Sequence, residues 1–141
     1  MDGENTQEQL KERLNKDAND IEAAISLGNM CYDSGDAPSA ILYYRLALDI
    51  NPDLSGVRTD MGTMYWRNND INLAEQAFRE AIARDPSFGH AYVNLGLLLR
   101  HAKDNVVEAR SVWQKLLDTN PDHDVADKAR ELLWETASQI N

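Results

Sequence analysis

A single cysteine, Cys31, leaves this chain no internal disulfide framework and no cysteine-based zinc cluster. Long apolar runs are missing too, since none approaches the roughly 18 residues of a membrane-crossing helix. The opening MDGENTQEQ has neither the basic nor the apolar stretch of a secretory leader, so none is expected. Positive charge is scarce: 14 Lys and Arg stand against 24 Asp and Glu, for a formal net charge of −10. That excess repels a phosphate backbone unless the few cations cluster, so nucleic acid is not an expected partner.

Catalytic signatures are also lacking. There is no phosphate loop, dinucleotide fingerprint, nucleophile elbow or HExxH motif, and no enzyme activity, cofactor or metal is expected. His90, His101 and His123 show no spacing that suggests a metal cage and are expected to be ordinary surface histidines.

What is present suits one globular domain: 141 residues, 43% hydrophobic and 27% charged. Three segments echo one another, SLGNMCY from Ser26, DMGTMYW from Asp60 and NLGLLLR from Asn94, and their glycines Gly28, Gly62 and Gly96 recur every 34 residues. The same beat carries Leu27, Met61 and Leu95; Asp36, Asp70 and Asp104; Ala40, Ala74 and Ala109; Tyr44, Phe78 and Trp113; and Pro52, Pro86 and Pro121, with one extra residue near Asn105 and Val106 in the third unit. Fixed-period self-similarity of this kind marks a repeat architecture.

Each unit reads as a helical hairpin. A helical-period segment ends near GD, ND or KD, where the aspartate is expected to accept from the free amides that open a second helix. The second helix carries a small residue and then an aromatic four positions on, both on one face, and stops before proline, where the α region is disfavoured. An interior glycine costs a helix roughly 1 kcal/mol relative to alanine. Packing is the expected reason for it, with the glycine at a close crossing of the two helices and large side chains filling the space above and below.

These residues resemble the tetratricopeptide repeat family, whose pattern of LG, G, A, aromatic, A and P over the same period is matched from Ile21 to about Asp122. Departures include Ala24, Arg58 and Tyr92 at the family's first tryptophan, Cys31 and Leu99 at its tyrosine, and Leu116 where the earlier units have Ala47 and Ala81. The resemblance implies an all-α, right-handed α-α superhelix (solenoid) of three hairpins with an N-terminal helix and a C-terminal capping helix. The expected divisions are an N-terminal partial repeat over 1–20, repeats over 21–54, 55–88 and 89–123, and a capping helix over 124–141. Thr6 and Gln9 form a capping box opening the partial repeat. Val125, Ala129, Leu132, Leu133, Ala137 and Ile140 form an amphipathic stripe along the last helix.

The resemblance further implies a non-catalytic scaffold that binds a protein or peptide in a concave groove lined by first helices. Carried over position by position, the groove would present Ile25, Asn29, Tyr32 and Asp33 from the first unit. Thr59, Thr63, Trp66 and Arg67 follow from the second. The third supplies His90, Val93, Asn94, Leu97, Arg100 and His101. Tyr32, Trp66 and Arg100 share one repeat position and form a ladder, with Arg67 placed to pair with a partner carboxylate. One subclass of the family clamps the terminal carboxylate of chaperone tails, and at its positions this chain has Ile25, Asn29, Asp60, His90 and Asn94. Only Asn29 matches and Asp60 would repel a carboxylate, so that capture is expected to fail.

Two other readings stay open. Leu10 and Leu14 on the partial repeat would lack cover, which suggests an assembly module that stacks through its ends into homo-oligomers. The stretch WQKLLDTNP and the helix after it resemble the last repeat of bacterial cytochrome c maturation proteins, which implies the soluble part of a membrane-tethered factor. A cytoplasmic location is the default and a periplasmic one follows from that last reading; no membrane insertion is expected.

Overall fold

The computed structural model describes residues 6–140, all of whose regular structure is helical. Eight α-helices follow in order: α1 (Gln7–Lys16), α2 (Ile21–Ser34), α3 (Ala37–Ile50), α4 (Ser55–Arg67), α5 (Ile71–Arg84), α6 (Gly89–His101), α7 (Val106–Thr119) and α8 (Ala126–Glu135). A short 3-10 turn, Ala137–Gln139, closes the chain. The first five residues of the expected 1–20 segment and Asn141 lie outside the described residues. Among the described residues no helix is long and apolar enough to cross a membrane.

The helix boundaries follow from side-chain chemistry. Thr6 and Gln9 form the capping box that opens α1. Asp20 accepts from the Ala23 amide at 3.0 Å and Asp36 from Ser39 at 3.2 Å. Two of the expected aspartate caps differ. Asp70 takes no amide from its own helix and accepts instead from Asn68 Nδ2 at 2.8 Å. Asp104 lies at φ 50° and hands the cap to Asn105, whose Oδ1 accepts from the Glu108 amide at 3.1 Å.

The inserted residue causes that hand-over, and the turn absorbs it. Asp36 and Asp70 donate backward to the carbonyls of Cys31 and Tyr65, but the matching amide of the third hairpin, Asn105, reaches one residue further, to Leu99. The left-handed residue that ends the first helix is Gly35 in one hairpin and Asn69 in the next, both at positive φ.

Hairpins form between α2 and α3, α4 and α5, and α6 and α7. They stack through α3 on α4, α5 on α6 and α7 on α8, and the first helices touch along one side, α4 against α6 and α6 against α8. Within each hairpin the aromatic ring itself lies against the glycine. A Cβ on Gly28 would come 2.5 Å from Tyr44, one on Gly62 would come 2.6 Å from Phe78, and one on Gly96 would run into the Trp113 indole. All three rings are fully buried. The ring thus occupies the gap that the sequence reading assigned to helix backbones in close approach.

The position of the family's first tryptophan acquires a shared task in two units. Arg58 Nη2 donates to the Pro52 carbonyl at 2.8 Å, and the Tyr92 hydroxyl donates to the Pro86 carbonyl at 2.8 Å. Each ties the start of a first helix to the proline turn before it.

Both ends depart from expectation. Leu10 is fully buried against Ala23 and Leu27, and Leu14 packs beside Tyr43, so α1 covers its own apolar residues. At the other end the packed stripe stops at Thr136, which is buried and receives Arg110, while Ala137 and Ile140 are exposed. The tighter 3-10 turn rotates those last residues off the face that α8 buries.

Candidate functional site

The first helices α2, α4 and α6 present the candidate groove. On α2, Asn29 and Asp33 are exposed while Ile25 and Tyr32 are half-buried. On α4, Thr63 and Trp66 are half-buried and Arg67 is exposed. On α6, His90 and His101 are exposed and Asn94 and Leu97 half-buried.

Three expected lining residues are placed otherwise. Thr59 is buried, its hydroxyl donating to the Ser55 carbonyl at 2.8 Å. Val93 is buried, and its carbonyl accepts from Trp113 Nε1 at 3.3 Å. Both hold the repeat position of Ile25, which is only half-buried. Arg100 pairs with Glu135 at 3.4 Å, which commits it to the C-terminal helix. Of the expected ladder, Tyr32 and Trp66 remain, each packed against the core. The Arg67 guanidinium stands 5.1 Å from the centre of the Tyr32 ring, within cation–π range.

A recess of about 340 Å³ opens between α2 and α4, lined by Asn29, Tyr32, Asp33, Tyr44 and Asp60. Tyr44 reaches it from α3: with only a hydrogen at Gly28 to pass, its hydroxyl donates to Asn29 Oδ1 at 2.6 Å. Burial, then the charge of Asp60, pushes the Tyr44 phenol well above its ordinary range. Burial likewise raises the Asp60 carboxyl, and the nearby His90 eases it back. Sequence reasoning assigned Tyr44 to the core alone. The glycine and the aromatic sixteen residues on were visible as a pair, but the reach of the hydroxyl to Asn29 was not.

A second cluster brings together His90, His123 and Asp124, whose ligand atoms lie within 4.8 Å of one another. The two imidazoles meet edge to face at 5.5 Å. His123 is not the ordinary surface residue expected, because its Nε2 accepts from the Gly89 backbone amide at 3.2 Å. Asp124 meets Nδ1 at 2.6 Å. The ring thereby fastens the N-terminus of α6 to the loop after α7, and its nitrogens are not free for a metal.

Two family models, both described as tetratricopeptide repeat, match residues 21–54 and 59–124. Among curated proteins, the BBSome complex member bbs-4 of Caenorhabditis elegans is 27% identical over 90 residues, 64% of this chain and 20% of that protein. The chain therefore spans about a fifth of that relative's length. Among solved structures, the TPR2B domain of yeast Sti1 in a pHsp70 complex superposes with a TM-score of 0.75 at 17% identity, covering 85% of this chain and 98% of that one. The first TPR of Spaghetti (RPAP3), bound to the HSP90 peptide SRMEEVD, gives 0.69 at 24% identity, covering 83% and 95%. At such identities these two likenesses speak for the fold alone.

Proposed function

The chain belongs to the tetratricopeptide repeat family, and from that premise we propose that it is a non-catalytic scaffold holding a peptide or partner helix along α2, α4 and α6. The observation that carries this reading is a set of polar side chains that the first helices leave exposed. Asn29, Asp33, Arg67 and His90 are exposed on the first helices, beside half-buried Trp66, Asn94 and Leu97. Polar groups around a few apolar anchors are what a recognition surface needs. Two structural relatives are described in complex with chaperone-derived partners, which supports the mode of binding without naming the ligand here.

A pull-down comparing wild type with an Arg67→Ala, Asn94→Ala variant tests this. A partner captured by wild type and lost by the variant, at unchanged melting temperature, supports the groove. Capture unaffected by the variant contradicts it.

Homo-oligomers remain a second reading, carried now by a different residue. The apolar side chains of α1 are covered, but Trp134 on α8 is 83% exposed. Light scattering across concentration checks it: mass that grows in wild type and not in Trp134→Ala supports stacking through that end.

A further inference from the structure

Successive second helices leave a recess between them, and it differs in size along the stack. Between α5 and α7 it is lined by Arg79, Ile82, Val112 and Lys115, with Tyr92 and Leu95 of α6, and holds about 130 Å³. Between α1 and α3 the lining includes Lys11, Leu14, Ala18, Tyr43 and Leu46, and the volume is about 450 Å³. The two agree along the repeat, since Lys11, Leu14, Tyr43 and Leu46 correspond to Arg79, Ile82, Val112 and Lys115. A large side chain from the first helix is what the wider one lacks. Tyr92 lines the recess of the third hairpin, Arg58 lines one of about 90 Å³ in the second, and the first hairpin has only Ala24 at that position.

The same chain carries a large side chain without cover. Trp134 holds the repeat position of Cys31, Tyr65 and Leu99, which are at most 7% exposed, yet it stands 83% exposed on α8. Tryptophan is among the residues most enriched at binding hot spots. Helix α8 packs on α7, α6 and the closing turn, whereas α1 packs on α2 at the other end of the stack, so the indole does not reach the recess of its own molecule. Charge suits a contact between molecules: exposed Glu131 lies one turn before Trp134, and exposed Lys11 stands at the recess.

We propose that the recess between α1 and α3 receives the Trp134 indole of a second copy of this chain, joining molecules head to tail. The inference rests on the second reading above, association through the α8 end, and adds the surface that receives it. Indole and recess lie on different patches, so the contact is heterologous: each molecule takes one neighbour at either end, and growth passes the dimer. One indole buries on the order of 200 Å², well below a standard interface, so the association is weak and shows at high protein concentration.

Light scattering up to about 1 mM protein tests it on wild type, Trp134→Ala, Leu46→Glu and an equimolar mixture of those two variants, with thermal melts as the folding control. Leu46 is 37% exposed, so its variant is expected to fold while placing a carboxylate in the recess. Lys11→Glu, at a fully surface position, repeats the test should Leu46→Glu melt early.

The expected result is a wild-type mass that climbs past twice the monomer value, with Trp134→Ala and Leu46→Glu each monomeric alone and Lys11→Glu associating about tenfold more weakly. The mixture is expected to form a dimer and nothing larger, because Leu46→Glu still offers the indole and Trp134→Ala still offers the recess. Growth of Leu46→Glu and Lys11→Glu equal to wild type overturns the proposal while leaving association through Trp134 in place. A mixture that stays monomeric also overturns it, since an intact indole and an intact recess would then have met without joining. Wild type that stays monomeric, or growth undiminished in Trp134→Ala, removes both this proposal and the association reading, and leaves the recess to the side chain of a different protein.

Discussion

Gly62 and Phe78 lie so close that a methyl group on the glycine would sit 2.6 Å from the ring edge. Phe78 is fully buried and cannot swing into solvent. Gly62→Ala gains roughly 1 kcal/mol of helix propensity but overpacks the contact at about 1–3 kcal/mol. A lower melting temperature is expected, with partial recovery when Phe78→Leu is added. A rise on Gly62→Ala alone contradicts ring-on-glycine packing.

Asp60 adds a pH dependence. Its folded pKa is raised by burial, so the native state takes up the proton more readily than the unfolded chain. The unfavourable contribution is therefore in force above that pKa and fades as pH falls through it. Asp60→Asn is expected to melt higher than wild type at neutral pH, with the gap closing as pH drops into the carboxylate range. Melting curves over that range check it, and a gap that widens on acidification is the contrary result.

Arg58 and Tyr92 occupy one repeat position and reach the carbonyls of matching prolines. Arg58 also pairs with Glu80 at 3.0 Å, yet its buried Nε has no partner. Arg58→Tyr is expected to retain the proline tie, while Arg58→Ala loses both tie and packing, at about 1.5–3 kcal/mol for a hydrogen bond to a charged group. Urea denaturation of the two variants measures the difference. Equal losses would mean that the proline tie contributes nothing.

His123 should behave as a cap rather than a ligand. His123→Ala removes the acceptor of the Gly89 amide, and loss of a helix cap costs typically about 1 kcal/mol. Faster amide exchange at the start of α6 is expected, without any change on adding zinc to wild type. Zinc that raises the melting temperature of wild type but not of this variant contradicts the capping role.

Acidic chaperone tails ending in a free carboxylate are expected to bind no better than millimolar, because Asp60 stands where a clamp needs a neutral or positive group. Micromolar binding lost on Asn29→Ala is the contrary finding.

The repeat was legible because its marks are local. Gly28, Ala40, Tyr44 and Pro52 each act within one hairpin, and the period lays the next hairpin over them. The extra residue near Asn105 was legible as well, and the turn is where the structure absorbs it. What the sequence hid depends on the third dimension. Gly89 and His123 meet across 34 residues, and no local pattern links them. Thr59 and Val93 are buried while Ile25 at the same repeat position is half-buried, a difference between units that a shared period does not resolve. Leu10 and Leu14 looked uncovered because the face of α2 that shelters Leu10 reads, in sequence, as part of the next repeat.

The central claim is that α2, α4 and α6 form one recognition surface. Hydrogen exchange on the chain, free and bound to the partner recovered by pull-down, tests it most directly. The account predicts new protection along those three helices, strongest around Asn29, Arg67 and Asn94, with none on the outer faces of α3, α5 and α7. Protection confined to the outer faces, around Leu42 or Leu73, would contradict it.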